Sequence, residues 1–289
     1  MRQVTSKVIS NEKLLGELER PDARTFNRPE ARNTLGSWLV WLRCPGIAQE
    51  SKPGQFAMVR CGEECLLPRP FSIHRVNDKS DIALFFAVWA DGKGTEWLSQ
   101  RKKNDAVELF GPLGNNFTLK PWTSKVLLVA GGMGIAPLLF LANQALKDGL
   151  SVKLLRGASG EYKPSGKPNP SQHYSEELLP RGIEDVKTIT TSPDGREKMV
   201  LDLLPNFADW ADQIFACGPM AMYRDIAKRK KELGLLGKPV QISLEMRMGC
   251  GRGLCYACTV KTKTGLKQVC KDGPVFDLDD IIWDELAQT

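Results

Sequence analysis

The sequence has few of the features that mark membrane, secreted or nucleic-acid-binding proteins. No apolar run among its 289 residues reaches the about 18 residues that a membrane span needs. The first residues, MRQVTSKVISNEKLLGELER, lack the apolar core of a signal peptide. Lysine and arginine form no long run, and aromatic residues are not interleaved with them as a stacking platform for bases requires. We therefore expect a soluble, cytoplasmic protein with no membrane span and no nucleic-acid partner.

Histidine is scarce as well, and this limits the chemistry that side chains alone can perform. The only two are His74 and His173, so a mechanism built on an imidazole acid or base has few candidates. The formal net charge of +6 is a mild excess that suits phosphorylated cofactors or an acidic partner. The length predicts about two domains. The eight cysteines indicate thiol or metal chemistry rather than disulfides in a cytosolic chain.

Four of the cysteines form the most informative pattern. Cys250, Cys255 and Cys258 have the spacing C-x4-C-x2-C, and Cys270 follows after eleven residues. Four thiolates at this spacing can hold a [2Fe–2S] cluster, and the interspersed glycines let backbone N–H groups approach the sulfurs. A zinc site is the chemical alternative, although zinc knuckles usually have two tight cysteine pairs. The spacing favours the iron–sulfur interpretation.

The first part of the chain, residues 1–121, has the pattern of an antiparallel β-barrel. Five short runs rich in β-formers are separated by Gly, Pro, Asn or Asp. They are Val4–Ile9, Ser37–Arg43, Gln55–Cys61, Phe71–Val76 and Ile82–Trp89. Short strands at this spacing predict a small barrel. The charged stretch Glu19–Asn33 has no strand or helix period and is predicted to be a surface loop, while Phe110–Phe117 is predicted to be a turn that closes the barrel.

Two segments of the predicted barrel are candidates for binding a diphosphate. Arg69-Pro70-Phe71-Ser72 holds a planar guanidinium and a small hydroxyl on a stretch stiffened by prolines. Asp91–Thr95 is a Gly-rich turn that leads into a predicted helix at Glu96–Gln100. Each has an ordinary alternative, an exposed loop arginine in the first case and a plain turn capped by Thr95 in the second.

The middle of the chain, residues 122–240, alternates predicted strands and helices. Val126–Ala130 is apolar on both faces, as a central parallel strand should be. It runs into the glycine turn Gly131–Pro137 and then into a predicted helix, Leu138–Leu146. This order lets a backbone approach a dinucleotide pyrophosphate, although the turn lacks the GxGxxG fingerprint. The further predicted elements are Val152–Leu155, Val186–Thr190 and Gln213–Ala216 as strands, and Lys198–Leu204 and Ala221–Leu233 as helices.

Three Gly-rich segments are predicted to lie at the carboxyl ends of parallel strands, where open α/β sheets bind ligands. They are Gly131–Pro137, Arg156–Ser159 and Cys217–Met220. The polar stretch Gly160–Gln172 is predicted to be a long, mobile loop.

The last part, residues 241–289, is predicted to carry the cysteines on a β-hairpin. Thr259–Lys261 and Leu266–Val269 are the predicted strands, and Lys263–Gly265 is the turn. The apolar tail Ile281–Trp283 has two possible roles, packing against the nucleotide domain or contacting another chain.

Taken together, the motifs resemble the ferredoxin–NADP reductase superfamily and, within it, the electron-transfer subunits of dihydroorotate dehydrogenase B. The resemblance implies an FAD-binding barrel, an NAD-binding α/β domain and a C-terminal [2Fe–2S] module. It implies that electrons from dihydroorotate, in pyrimidine biosynthesis, cross from a partner flavoprotein to the cluster, then to FAD and NAD+. The implied partner is a catalytic, FMN-containing dihydroorotate dehydrogenase subunit in a heterotetramer.

The resemblance also implies roles for individual residues, with no catalytic acid or base among them. Expected FAD contacts are Arg69, Pro70, Phe71, Ser72, Ala87, Val88, Trp89, Gly94 and Thr95. Expected NAD contacts are Gly131, Gly132, Gly134, Pro137, Cys217, Gly218 and Pro219. Expected cluster ligands are Cys250, Cys255, Cys258 and Cys270. It does not decide between NADH and NADPH, and Arg156 and Ser159 lie where a 2′-phosphate could be bound.

Two alternatives to this function remain open. One is a subunit of the same superfamily that serves another partner, as in an NADH-dependent ferredoxin:NADP oxidoreductase or a sulfide dehydrogenase. The other is a zinc-stabilised binding module without redox function.

Overall fold

The computed structural model describes residues 1–15, 34–158, 174–189 and 199–286. The predicted loops Glu19–Asn33 and Gly160–Gln172 lie outside the described residues, as do Ser159 and His173. No helix within the described ranges is long and apolar enough to cross a membrane.

The N-terminal region is a closed antiparallel barrel of six strands, which confirms the predicted fold. The strand order around the barrel is β1-β2-β5-β4-β3-β6. The strands are β1 (Arg2–Leu15), β2 (Thr34–Arg43), β3 (Phe56–Val59), β4 (Arg69–Val76), β5 (Asp81–Trp89) and β6 (Ala106–Leu113). Alternating side chains fill the interior, as the period of two requires, and Val40, Leu42 and Ile82 have no exposed surface.

The end of the barrel differs from the prediction. Phe110–Leu113 belongs to β6, whereas the sequence predicted a turn from Phe110 onward. β6 pairs with both β1 and β3 and so closes the barrel. The sequence did not predict this strand, because Gly111 and Pro112 are residue types that are depleted in strand interiors.

Two helices cover the barrel. Helix α1 (Pro45–Glu50) was not predicted, and it begins with Pro45 in its first turn, where a missing N–H costs nothing. Helix α2 (Lys93–Ser99) includes the Gly-Thr turn that the sequence placed just before a helix.

The central region is a six-stranded sheet in the order β14-β11-β10-β7-β8-β9, parallel except at β14. Its strands are β7 (Lys125–Gly131), β8 (Ser151–Ala158), β9 (Glu184–Ile189), β10 (Gln213–Cys217), β11 (Val240–Ser243) and β14 (Val275–Asp277). Helix α3 (Ile135–Lys147) packs on one face, against Val126 and Leu128. Helices α4 (Val200–Leu203), α5 (Pro205–Ala208) and α6 (Met220–Lys228) pack on the other face. The prediction of a central strand buried on both faces is confirmed for β7.

The cysteine-rich region forms the predicted hairpin and then returns to the sheet. The hairpin strands are β12 (Thr259–Thr262) and β13 (Gly265–Gln268), and the short helix α7 (Val269–Asp272) follows. Next, β14 joins the sheet beside β11. The central sheet includes β11 and β14, which extend past the predicted boundary at 240/241. The division of the chain at residues 121/122 and 240/241 stays a prediction.

The tail packs against the body rather than remaining free. Ile281 is buried and bridges to Thr262 of the hairpin. The indole N–H of Trp283 donates to the Leu278 carbonyl at 3.1 Å, and its ring lies against Tyr223. The first of the two roles predicted for Ile281–Trp283 is therefore the one observed.

Candidate functional site

Two of the predicted diphosphate segments lie side by side at one end of the barrel. A Cβ added to Gly94 would lie 3.0 Å from Cγ of Arg69, so the side chain of Arg69 crosses the start of α2. The Thr95 hydroxyl donates to the Gly92 carbonyl at 3.0 Å, and Gly92 N–H donates to the Trp89 carbonyl at 2.8 Å. The turn after β5 is thereby fixed beside the arginine.

The Arg-Pro-Phe-Ser segment divides its side chains between the core and the surface. Phe71 is buried and packs edge-on against Phe86, with ring centroids 5.3 Å apart. Arg69, Pro70 and Ser72 are partly exposed. At the end of β5, Ala87 and Val88 are buried and Trp89 is partly exposed. Arg69, Pro70, Ser72 and Trp89 thus offer surface to a ligand, while the other three contribute mainly to packing.

The glycine turn after β7 is packed backbone to backbone against the end of β10. A Cβ on Gly134 would overlap the Cys217 carbonyl, and one on Gly131 would lie 2.9 Å from Cδ of Pro219. Gly132 differs, because it has φ +55° and open space where a Cβ would point. Pro137 is buried in the first turn of α3. The turn therefore brings two of the predicted nucleotide segments together and leaves Gly132 open to a ligand.

The thiol of Cys217 points into the protein. Its Sγ lies 3.7 Å from the Ser243 carbonyl and the residue is buried, which raises its pKa well above the usual value. Tyr223, which the sequence analysis missed, fixes this strand end. Its hydroxyl accepts from Gly218 N–H at 2.9 Å and donates to the Ser243 carbonyl at 2.5 Å. No local pattern marks a tyrosine in α6 for this role.

Arg156 is fully engaged inside the protein. It lies within β8 rather than after it, and its Nε and Nη2 donate to both carboxylate oxygens of Asp185 at 2.9 and 2.7 Å. Its Nη1 donates to the Tyr174 carbonyl at 3.0 Å. The Nε–Nη2 fork of this buried guanidinium is therefore occupied by a carboxylate. Arg156 thus has a protein partner at the position where the sequence left a 2′-phosphate open.

The cysteine loop surrounds its sulfur atoms with backbone donors. Cys250 Sγ accepts from the N–H groups of Arg252 and Leu254, each at 3.3 Å. Cys270 Sγ accepts from Gly253 N–H at 3.1 Å. Burial would raise the pKa of the Cys250 thiol, but the N–H donors outweigh it and lower the pKa from 9.0 to about 6. These donors therefore favour the thiolate of Cys250, the form that binds metal, whereas burial raises the pKa of the Cys270 thiol to about 12.

The four thiols lie as two pairs. Cys270 N–H donates to Cys258 Sγ at 3.4 Å, and the side chain of Cys255 contributes to lowering the pKa of Cys250. Within the described part of the chain, no group of three His, Cys, Asp or Glu side chains is arranged to hold one metal ion. Two thiolate pairs match the needs of a cluster with two irons, each of which takes two protein ligands. The residues present therefore fit a [2Fe–2S] cluster.

The loop rests on the barrel beside the Arg-Pro-Phe-Ser strand. Gly251 has φ +66°, and a Cβ there would lie 2.6 Å from Cγ of Met58 on β3. Met58 in turn pairs with Pro70 across β3 and β4. The Arg252 guanidinium lies over the Phe110 ring, 4.5 Å from its centroid. The cysteine loop is thus one strand away from the predicted flavin segment.

Asn115, just after β6, holds the segment that follows Cys270 against the barrel. Its amide donates to the carbonyls of Asp272 and Val275 at 3.0 and 2.7 Å, and its side-chain oxygen accepts from Val275 N–H at 2.9 Å. The segment that follows Cys270 is thereby held to the end of the barrel.

The outer side of the cysteine loop is apolar and exposed. Leu254 is 73% exposed and Tyr256 66%, and Cys255 between them is also exposed. Leu67 of the barrel lies next to the loop, because a Cβ on Gly249 would be 3.9 Å from its Cδ1. We call Leu67, Leu254, Cys255 and Tyr256 the exposed rim. Large apolar side chains grouped on a surface are typical of a contact with another protein.

Comparison with known proteins gives matches over both the cysteine region and the whole chain. Residues 245–282 match the model of the iron–sulfur cluster binding domain of dihydroorotate dehydrogenase B. A protein of Desulforamulus reducens named dihydroorotate dehydrogenase B (NAD(+)), electron transfer subunit, is 37% identical over 257 residues, which cover 86% of this chain and 93% of that protein. A protein of the same name from Clostridium acetobutylicum is 36% identical, with 78% of this chain and 85% of that protein covered.

Solved structures share the fold. A chain in the structure of an NADH-dependent reduced ferredoxin–NADP oxidoreductase, described in terms of flavin-based electron bifurcation, matches with a TM-score of 0.74 and 25% identity. That match covers 98% of this chain and 91% of the other. A ferredoxin–NADP+ reductase from Neisseria gonorrhoeae with bound FAD and NADP matches with a TM-score of 0.57 and 16% identity, covering 81% of this chain and 92% of the other.

Proposed function

This chain belongs to the family of dihydroorotate dehydrogenase B electron transfer subunits, and from that membership we propose that it passes electrons from a dihydroorotate-oxidising flavoprotein to NAD+. The cofactors are a [2Fe–2S] cluster and FAD. FAD, when bound, exchanges single electrons with the cluster and a hydride with the nicotinamide. The observation that carries the proposal is the cysteine loop, whose four thiols lie in two pairs with backbone donors and rest on the barrel.

The chain's own residues bind, orient and shield these groups. Cys250, Cys255, Cys258 and Cys270 are the proposed cluster ligands. The N–H groups of Arg252, Gly253 and Leu254 stabilise charge on the sulfurs, which is how a protein tunes a cluster.

The proposed flavin site uses the exposed side chains at the end of the barrel. Arg69 offers a planar fork to the diphosphate. Gly94 beside it has no Cβ, which leaves room for the Arg69 side chain. The hydroxyl of Ser72 and the ring of Trp89 are partly exposed and face the same end of the barrel. Phe71, Ala87 and Val88 support this surface from the core.

The proposed nucleotide site is the junction of the glycine turn with the end of β10. Gly132 gives the open backbone, and Tyr223 holds Gly218 in place. The Arg156–Asp185 pair supports NAD over NADP, because the guanidinium that could bind a 2′-phosphate already has its partner. An arginine that is occupied in this way adds no affinity for the extra phosphate.

The relatives are named electron transfer subunits, a name that implies a separate catalytic subunit. We propose that this partner contains FMN, forms a cytoplasmic heterotetramer with the chain, and docks on the exposed rim. Cys255 is the most exposed of the proposed ligands, so the partner would approach the cluster on that side.

The test is reconstitution of the chain with a dihydroorotate-oxidising flavoprotein under anaerobic conditions. We expect dihydroorotate-dependent reduction of NAD+, at least tenfold faster than reduction of NADP+. The purified chain alone should contain FAD, iron and labile sulfide. A colourless, zinc-containing protein without flavin would contradict the proposal and favour the zinc-stabilised module.

One observation favours a second candidate partner. The fold matches a chain of the NADH-dependent reduced ferredoxin–NADP oxidoreductase with a TM-score of 0.74. A subunit of such a complex would have the same cofactors and a different flavoprotein partner. Reconstitution with a glutamate-synthase-like flavoprotein decides this point, because only the second candidate predicts turnover with that partner.

A further inference from the structure

A buried polar contact joins the barrel to the nucleotide region at His74. The imidazole lies on β4 with no exposed surface. Its Nδ1 is 2.7 Å from the Ala136 carbonyl in the first turn of α3, and its Nε2 is 3.0 Å from the Tyr174 hydroxyl. We call His74, Arg75, Phe85, Ala136 and Tyr174 the His74 junction. Packing inside the barrel does not by itself account for these two hydrogen bonds, which reach α3 and Tyr174.

The chemistry of the neighbours fixes the proton on the His74 ring. A carbonyl only accepts, so Nδ1 must carry the proton that reaches Ala136. In the neutral ring Nε2 is then an acceptor for the Tyr174 hydroxyl at 3.0 Å, and the other acceptor of that hydroxyl, the Leu178 carbonyl, is farther away at 3.3 Å. Arg75 Nη2 donates to the same hydroxyl at 2.8 Å. The hydrogen bonds therefore run in one direction, from Arg75 through Tyr174 and His74 to the helix.

The neutral form of the ring is strongly favoured in this environment. Burial, together with the neighbouring Arg75 charge, lowers the pKa of His74 to about 3. Burial raises the pKa of Tyr174 to about 12. Neither group changes its charge near neutral pH, so the arrangement of donors and acceptors persists.

Packing holds the ring as firmly as the hydrogen bonds do. Phe85 and Tyr174 meet edge to face, with centroids 4.8 Å apart and an interplanar angle of 88°. The imidazole lies 5.5 Å from Phe85 and 5.3 Å from Tyr174. Arg156, bound to Asp185, donates to the Tyr174 carbonyl and so ties the same tyrosine to β8 and β9. A side chain enclosed in this way keeps one rotamer and one position.

The junction connects the two segments whose separation matters for hydride transfer. His74 is two residues after Ser72 of the proposed flavin segment, and Ala136 directly precedes Pro137 of the nucleotide turn. We propose that His74 is a positioning residue, whose Nδ1–H bond to Ala136 sets the distance between the flavin-bearing strand and the nucleotide turn. The inference rests on the proposed function, and it concerns residues outside the proposed cofactor contacts.

Three variants separate the parts of the junction. His74→Phe removes both hydrogen bonds and keeps a ring. His74→Asn is the matched control, because its amide nitrogen branches from Cγ as Nδ1 does and can still donate to Ala136. Tyr174→Phe removes only the hydroxyl, which leaves Nε2 without its donor.

The main measurement is anaerobic stopped-flow reduction of the bound flavin by NADH. We expect the limiting rate of His74→Phe to fall by roughly ten- to a hundredfold, the size of effect that an error of about 1 Å produces. The dissociation constant of NADH should change far less, since the nucleotide contacts remain. His74→Asn should recover most of the rate, and Tyr174→Phe should lie between the two.

Hydrogen exchange gives a second readout that does not depend on turnover. Exchange at residues 131–140 should be faster in His74→Phe than in His74→Asn, and exchange in β12 and β13 should be unchanged. A wild-type limiting rate and wild-type exchange in the variants that fold would overturn the inference, even if the unfolding temperature fell. So would an Asn variant that behaves like the Phe variant in both measurements.

Failure of the proposed function has a different signature. In that case NADH would not reduce the wild-type protein, whatever the state of residue 74. The exchange comparison between His74→Phe and His74→Asn would then decide whether the junction holds α3 to the barrel.

Discussion

The cysteine loop and the His74 junction both attach a functional segment to the barrel, but they satisfy their polar atoms in different ways. In the loop, Cys250 Sγ accepts from backbone N–H groups two and four residues away, and Gly253 N–H donates to Cys270 Sγ 17 residues away. In the junction, a side chain bonds to a carbonyl 62 residues away and to a hydroxyl 100 residues away. The loop carries an exposed cysteine, and the junction has a ring without exposed surface.

The difference suits the two tasks that we propose. A cluster changes charge with each electron, and several N–H donors around the sulfurs can stabilise that charge without moving. Hydride transfer needs a fixed distance between two cofactors, and a buried, fully bonded ring gives a fixed distance. The exposed loop therefore serves exchange with a partner, and the buried junction serves geometry within the chain.

The largest expected effect comes from a change in the loop that leaves the junction intact. Cys255→Ser should abolish the cluster absorption and the dihydroorotate-linked reduction of NAD+, because a serine hydroxyl replaces one of the four thiolates. FAD content and NADH-driven dye reduction should stay near wild type. The matched control is Cys44→Ala, a buried cysteine of the barrel far from the loop in sequence, which should keep the cluster. Unchanged dihydroorotate–NAD turnover in Cys255→Ser would remove the loop from the electron path.

A smaller effect is expected where the loop rests on the barrel. Gly251→Ala combines a left-handed backbone, φ +66°, with a Cβ 2.6 Å from Cγ of Met58. We expect a loss of roughly 2–4 kcal/mol in the free energy of unfolding, since the left-handed backbone costs about 1 kcal/mol and overpacking about 1–3 kcal/mol. The measurement is urea unfolding, together with the visible circular dichroism of the cluster.

Gly237→Ala is the control for the backbone part of that cost. Gly237 has φ +74° and open space at its Cβ position, so only the conformational strain of about 1 kcal/mol should be measured there. In Gly251→Ala combined with Met58→Ala the losses should fall short of their sum, because the second change removes the clash. Strictly additive losses would mean that the loop does not rest on Met58.

The sequence predicted the loop well and the junction not at all, for a physical reason. The spacing of four cysteines is local, and only a few structures accommodate C-x4-C-x2-C, so the hairpin followed from the pattern, and the four ligands stay a prediction. The strands of the barrel followed from their alternation. β6 was missed because Gly111 and Pro112 interrupt the strand pattern, and β14 because three residues are too short to show one.

Tertiary contacts explain what the sequence could not predict. His74 follows Ile73 in an ordinary strand pattern, and nothing near it marks Ala136 or Tyr174 as its partners. Arg156 lies where the sequence left a 2′-phosphate open, and nothing near it marks Asp185 on the neighbouring strand as its partner. Both cases concern polar side chains whose partners come from other elements, which periodicity does not report.

The last prediction uses the titration of His74, which the junction buries. Above the ordinary histidine pKa of 6.5, His74 is neutral in the folded and unfolded states alike, so it adds no pH dependence. Below pH 6.5 His74 binds a proton in the unfolded chain. In the folded protein it stays neutral, because its pKa is about 3. The free energy of unfolding should therefore fall by about 2 kcal/mol more between pH 6.5 and 5 in the wild type than in His74→Asn.

Urea unfolding at both pH values measures this difference, and subtracting the variant cancels every other titrating group, His173 included. The groups that face His74 do not interfere, because Tyr174 stays neutral throughout that range and Arg75 is present in both proteins. Parallel pH curves for the two proteins would mean that the ring is protonated or hydrated in solution. The His74 junction would then be accessible to water, as the cysteine loop is. The contrast between an exposed loop that exchanges electrons with a partner and a buried contact that fixes a distance would be wrong.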